Sequence, residues 1–151
     1  MKSQICVDAS LVVAMFMPER FSRAALALWK DWTLDEVQVA APLLLRYEVV
    51  SAFSRKVLQG VISQEDCDEA LQNFLALDIE LGDRPVLSLR AVELAKKFNR
   101  PNTYDAHYLA LTENLGCPFW TGDERLYNAV HSGFNDIFWL GHHPISLNAA
   151  A

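Results

Sequence analysis

No apolar run in these 151 residues is long enough to cross a bilayer. The longest, around Ile5 to Val7 and Ala40 to Leu45, fall far short of the roughly 20 residues a spanning helix needs. The start Met1-Lys2-Ser3-Gln4 lacks a signal-peptide layout, so a cytoplasmic location and no membrane partner are expected. Cysteine is scarce: Cys6, Cys67 and Cys117 form an odd set without Cys-x-x-Cys spacing, which argues against a disulfide framework and reads as buried free thiols. The histidines His107, His131, His142 and His143 lack the paired helical spacing of a zinc site. His107 is expected to be superficial, and His142-His143 to lie in a terminal loop. Positive charge is outnumbered, with 13 Lys and Arg against 19 Asp and Glu. A formal net charge of −6 argues against a surface that coats nucleic acid, because such surfaces are basic. A nucleic-acid substrate is not thereby excluded, since acids gathered in a metal site add formal negative charge that a bound cation cancels. No repeat, low-complexity segment or linker interrupts the chain, so residues 1–151 are expected to form one domain, with a tail after Pro144 that is loose.

What is present is an alternation of strands and helices. Gln4 to Val7 is a short apolar run ending at Asp8, followed by helical character from Leu11 to Phe16. Ala24, Ala25, Leu28, Trp29 and Trp32 recur at helical spacing within Phe21 to Trp32, and Val37 to Ala41 is a second strand closed by Pro42. A helix over Leu43 to Leu58 stops near Gly60, and Ser63 caps another with Glu65 and Asp66 in its first turn. Leu77 to Leu81 is the third strand, and Pro85 opens a helix that runs to about Phe98. Thr103 is expected to cap a helix ending at Gly116, before a fourth strand over Cys117 to Thr121. A helix from Asp123 to about Val130 and a strand at Ile137 to Leu140 complete the pattern. Such alternation predicts an α/β fold with a parallel sheet covered on both faces.

Four acids come from four places in this pattern. Asp8 ends the first strand, and Asp123 lies two residues past the fourth. Ligands of open parallel sheets bind outside the carboxyl ends of the strands, where strand order reverses. Glu48 shares a helical stripe with Leu44, Leu45 and Ala52, and Asp105 shares one with Tyr108, Leu109 and Thr112, so both point toward packed structure. Two carboxylates about 5 Å apart repel by roughly 3 kcal/mol at an effective dielectric of about 20. A divalent cation removes the conflict, and hard oxygen donors suit Mg²⁺ or Mn²⁺. Such an ion activates water and neutralises charge developing on a phosphodiester, which points to phosphodiester hydrolysis. Each acid also has a plainer reading. Asp8 or Ser10 could cap the helix that follows, Asp105 could be a partner of the helix dipole, Asp123 is an ordinary N-cap, and Glu124 could supply the carboxylate in its place. Glu48, flanked by Leu45, Val49 and Val50, has no such excuse.

Taken together, Val7-Asp8-Ala9-Ser10, Tyr47-Glu48-Val49, Thr103 to Leu111 (TYDAHYLAL) and Trp120 to Leu126 (WTGDERL) resemble the PIN-domain family, and within it the VapC toxins of toxin–antitoxin modules. The resemblance covers nearly the whole chain. It implies a three-layer α/β/α fold with a central parallel sheet in the order 3-2-1-4-5, which sets strands one and four side by side. It implies that Asp8, Glu48, Asp105 and Asp123 correspond to the family's catalytic and metal-binding acids, with Ser10 and Thr121 at supporting hydroxyl positions. It further implies cleavage of single-stranded RNA with Mg²⁺ or Mn²⁺, a homodimer, and silencing by a small antitoxin. Trp120 is bulkier than that pattern suggests.

Arg46, Lys96, Lys97 and Arg100 are candidates to steer an RNA backbone, although a solvated helix end explains the last three equally well. Phe16, Met17, Phe21, Leu26, Trp29 and Trp32 carry more apolar surface than one sheet face needs, and part of it could receive an amphipathic antitoxin segment. A phosphoacceptor receiver domain is disfavoured because the third strand closes with Leu81-Gly82 rather than an Asp, and no lysine follows Lys97. A dehalogenase-type phosphatase would want an Asp at Ser10. A housekeeping RNA-processing nuclease and a nonenzymatic scaffold are the remaining alternatives; the full set of acids speaks against the scaffold.

Overall fold

The computed structural model describes residues 2–149. Strand β1 (Gln4–Val7) leads into helices α1 (Ala9–Phe16) and α2 (Ser22–Leu34), then β2 (Gln38–Pro42), α3 (Leu44–Leu58), α4 (Gln64–Leu75) and β3 (Ile79–Gly82). Helices α5 (Leu87–Lys97) and α6 (Tyr104–Leu115) follow, then β4 (Phe119–Thr121), α7 (Glu124–Val130), β5 (Ile137–Trp139), a single 3₁₀ turn over Leu140–His142, and α8 (Pro144–Ala149). The five strands form one parallel sheet in the order 3-2-1-4-5. Helices flank it in a three-layer α/β/α arrangement.

The order places β1 at the centre, with Cys6 opposite Ala40 on one side and Phe119 on the other. Ile5, Cys6 and Val7 are all buried, although successive strand side chains point to opposite faces; a strand covered on both sides needs this continuous apolar run. The sheet order reverses between β1 and β4, so the carboxyl ends of these neighbours open the crevice typical of such sheets. On the α1 side, Phe16, Phe53 and Phe74 pack edge to face, with Phe16 5.8 Å from Phe53.

The structure corrects several local expectations. Pro144 does not begin a loose tail, because Pro144–Ala149 is a helix that packs on α2. His142 belongs to the 3₁₀ turn, where its ring lies 5.0 Å edge-on to Trp139. Thr103 makes no side-chain capping bond; Asn102 Oδ1 accepts from the Tyr104 N–H instead, at 3.3 Å. Most of the apolar surplus on α1 and α2 is used internally: Met17 is buried, Phe21 packs on Trp139, and Trp32 bridges Trp29 and Trp120. Only Leu26 of that set is left exposed. Trp120 stacks on Phe138 at 5.3 Å, extending this aromatic layer across the β4–β5 face. The three cysteines are free and buried, and no described helix is long and apolar enough to cross a membrane.

Candidate active site

Asp8 is the residue where β1 ends and α1 begins. Its Oδ1 accepts from the Leu11 N–H at 3.1 Å, the N-cap bond that starts α1, and from the Ser10 hydroxyl at 2.6 Å. Its Oδ2 accepts from the Thr121 hydroxyl at the end of β4. The capping reading of Asp8 therefore holds, and the same carboxylate also ties the end of β1 to the end of β4. Asp8 is only 5% exposed, and burial pushes its carboxyl up to about 7, against the three donors and with the repulsion of Asp105 added.

Ser10 and Thr121 make a polar knot around this group. Ser10 Oγ accepts from the Gly122 N–H at 2.8 Å, while Thr121 Oγ1 accepts from the Asp123 N–H at 2.9 Å. Gly122 has to be small here: a Cβ would lie 3.2 Å from Ser10 Oγ and 3.3 Å from a Leu140 methyl. Asp123 Oδ1 in turn accepts from the Arg125 and Leu126 N–H groups, capping α7 as an ordinary N-cap would. Glu124 is exposed in the first turn of α7, and its side chain makes no hydrogen bond among the described residues.

Glu48 and Asp105 are brought in by helices. Glu48 is half-buried on α3, and Tyr108 from α6 donates its hydroxyl to Glu48 Oε1 at 2.5 Å. Burial raises the Glu48 carboxyl, with Tyr108 opposing and the Asp105 charge adding to the rise. Asp105, three residues before Tyr108 on α6, pairs with Arg100 at 3.2 Å. Burial raises its carboxyl as well, Arg100 offsets part of this, and Asp123 adds repulsion. Asp105 thus feels or exerts the charge of each of the other three acids. Tyr108 itself is buried, and burial together with Glu48 holds its hydroxyl well above the usual range, so it stays a donor.

Proximity stops short of contact. Among the described residues no three His, Cys, Asp or Glu side chains stand as a ready-made ligand set for one ion. Like-charged carboxylates separate, and here Arg100 holds Asp105 while Tyr108 holds Glu48. The donor chemistry still suits a hard divalent cation: four carboxylates with hydroxyls behind them, and no thiolate or imidazole in the group.

The proposed steering residues fall differently. Arg100 lies in the site as the partner of Asp105, and its buried Nε has no partner among the described residues. Arg46 is exposed, with its guanidinium 5.3 Å over the Tyr47 ring. Lys97 donates to the Gly133 carbonyl at 3.1 Å, away from the acids, and Lys96 is exposed. His107 is half-buried against the Thr103 carbonyl. Sequence reasoning missed two residues. Tyr108 sits on the Asp105 stripe and was legible there as a neighbour, though not as the holder of Glu48. Arg55 lies two turns beyond Glu48 on α3, and its charge opposes the rise of the Glu48 carboxyl.

The PIN domain model matches residues 5–131 of the chain. The protein belongs to the PIN-domain family. Its PIN domain is 36% identical over 121 residues to Ribonuclease VapC1 of Mycobacterium tuberculosis, a match that covers 80% of this chain and 86% of the relative. In fold it resembles a crystal structure of a Pyrobaculum aerophilum protein, with a TM-score of 0.68 at 19% identity and 99% of each chain covered. It also resembles a protein solved as a toxin–antitoxin complex from Klebsiella pneumoniae, with a TM-score of 0.61 at 16% identity, 90% of this chain and 97% of that one. Asp8, Glu48, Asp105 and Asp123 all fall within the matched PIN segment.

Proposed function

We propose that this PIN-domain protein is a metal-dependent endoribonuclease of the VapC type, the toxin of a toxin–antitoxin pair, acting in the cytoplasm as a homodimer. The observation that carries the reading is Asp8, a buried carboxylate at the carboxyl ends of β1 and β4 with both oxygens fixed by donors, whose proton affinity the charge of Asp105 raises further. A fold does not hold repelling carboxylates together for stability alone. The relative named a ribonuclease supports RNA as substrate, and the neighbour solved with an antitoxin supports a small protein inhibitor.

Asp8, Glu48, Asp105 and Asp123 would hold Mg²⁺ or Mn²⁺. The bound cation supplies an activated water and charge neutralisation on the phosphodiester. The chain's own residues do the rest. Ser10 and Thr121 fix the direction of the Asp8 lone pairs, and Tyr108 fixes Glu48. Arg100 opposes the rise that burial imposes on the Asp105 carboxyl. The proton that water loses as it adds to phosphorus would pass to a carboxylate oxygen of the group that the cation leaves free, and solvent would return a proton to the ribose oxygen as its P–O bond breaks.

The test is an RNA cleavage assay with Mg²⁺, Mn²⁺ or EDTA, run beside Asp8→Asn and Asp105→Asn. Activity is expected with either metal, and none in EDTA or in either variant; undiminished cleavage by either variant would falsify the assignment.

A further inference from the structure

Glu48 lies where two clefts meet. One, of about 460 Å³, is lined by Leu44, Tyr47, Glu48, Ser51, Arg55 and Tyr104. The other, of about 370 Å³, runs past Ala9, Ser10, Glu48 and Arg55 toward Lys56. Glu48 and Arg55 line both, so the two clefts meet at one acid of the group with the Arg55 guanidinium beside it.

The first cleft has an unusual wall. Tyr47 and Tyr104 are 59% and 56% exposed, although a Tyr ring gains by burial. Tyr47 comes from α3 and Tyr104 from α6, and both line the cleft together with Glu48. Tyr47 is braced from one side by the Arg46 guanidinium, which also approaches its hydroxyl at 3.5 Å. Arg55 is tied by a 3.1 Å bond to Ser51 on the cleft wall. Exposed aromatic faces next to a guanidinium are what an unstacked base and its phosphate require, because every base offers a π-face and a neighbouring negative charge. A paired base within a duplex offers neither face, so the cleft selects single strands.

On the nuclease reading above, we propose that the Tyr47–Tyr104 cleft is the base-binding subsite, taking one unpaired nucleobase next to the bond that is cut while Arg55 holds the adjoining phosphate. Arg46 then acts through Tyr47 as a positioning residue, which accounts for its place beside the site without a direct contact to the acids.

Binding is measured in EDTA, so that no cleavage occurs, with a short single-stranded adenosine RNA carrying one 2-aminopurine whose fluorescence falls when its base stacks. The wild-type chain is expected to quench this probe, and a duplex of the same RNA to bind weakly. Tyr47→Leu and Tyr104→Leu keep bulk without a ring, and each is expected to lose quenching and to weaken binding roughly 5-fold or more, whereas Tyr47→Phe and Tyr104→Phe keep both. Arg55→Gln is expected to weaken binding while the bound probe stays quenched. With Mg²⁺ present, the Leu variants should raise KM more than they lower kcat. If the wild type cleaves RNA and the Leu variants bind and quench as it does, the subsite is wrong and the nuclease reading stands. A wild type that neither binds nor cleaves the RNA overturns both. Leu variants that bind the RNA normally but escape a protein inhibitor would make the cleft a protein groove and also overturn the proposal.

Discussion

The Tyr108 hydroxyl donates to Glu48 Oε1 at 2.5 Å and so ties α6 to α3 across the acid group. Tyr108 is buried to 1% exposure beside Phe119, whose ring lies 6.2 Å away, so this donor has little freedom to point elsewhere. Glu48 is half-exposed to water on its other side. The bond therefore contributes orientation more than stability.

Tyr108→Phe keeps the ring and removes only the donor. Groups that orient a metal-binding side chain are typically worth 10- to 100-fold in metal affinity or activity, so a loss of roughly 10-fold in kcat or in Mn²⁺ affinity is expected. Stability should change by no more than about 1 kcal/mol, because water replaces the lost donor at Glu48. Titration calorimetry with Mn²⁺ beside thermal melts checks this; unchanged affinity with unchanged activity would remove Tyr108 from the site.

The Asp8 carboxyl, pushed up to about 7 by burial, makes the metal-free protein pH-sensitive in a defined direction. An acid with a raised folded-state pKa keeps its proton in the native state where the unfolded chain has lost it. Its contribution is therefore fully present below the unfolded value of 3.8 and is lost as pH rises through about 7. Glu48 and Asp105 are raised too and act in the same sense. In EDTA, wild type should lose stability between pH 5 and pH 8. Asp8→Asn, which retains a capping oxygen for Leu11, should lose less and be the more stable chain at pH 8, by at most about 4 kcal/mol. Urea unfolding at both pH values decides, and a variant less stable than wild type at pH 8 contradicts the burial argument.

The places where sequence reasoning succeeded and failed have physical causes. The strands were legible because β1 is apolar on both faces, which only a covered parallel strand requires, and Gly116 adopts φ +63° at the end of α6 as a helix-ending glycine should. Asp8, Glu48, Asp105 and Asp123 could be singled out because each sat at a strand end or on an inward helical stripe. What could not be read was which side chain holds which. The Tyr108–Glu48 bond spans two helices, and its geometry depends on how they pack rather than on any local pattern. Arg100 looked like a solvated helix end because its partner lies five residues away across an irregular turn, with Asn99 at φ +52°. The short helix α8 was missed because its packing against α2, not its own propensity, makes it form.

Gly122 tests whether the Ser10–Thr121 knot is as tight as its distances indicate. Gly122→Ala places a methyl 3.2 Å from Ser10 Oγ and 3.3 Å from both the Ser10 carbonyl and a Leu140 methyl, so these neighbours must give by a few tenths of an ångström. The expected cost is about 1–2 kcal/mol in stability, as for other small overpacking changes. Activity should fall further than that cost implies, by 10-fold or more, because the displaced Ser10 no longer aims Asp8. Thermal melts and cleavage rates on the same preparation compare the two effects; an intact rate would mean that Ser10 is not needed to hold Asp8.

Arg100 distinguishes two roles that a basic residue near an acid group can have. As a contact to the RNA backbone, its loss would weaken RNA binding and reduce the salt dependence of that binding. As the internal counter-charge of Asp105, which the 3.2 Å pair indicates, its loss removes a cation that competes with the divalent ion for the same oxygen. A unit charge removed from about 6 Å of a dication in water-like surroundings changes its binding by roughly 1.4 kcal/mol, or about tenfold. Arg100→Gln is therefore expected to bind Mn²⁺ several-fold more tightly than wild type and, in EDTA, to be less stable at pH 8, because Asp105 then faces the other carboxylates without relief. Affinity for RNA measured in EDTA should change little. A variant with ordinary Mn²⁺ affinity and weakened RNA binding would return Arg100 to the role of a steering residue, and leave the four acids without an internal cation.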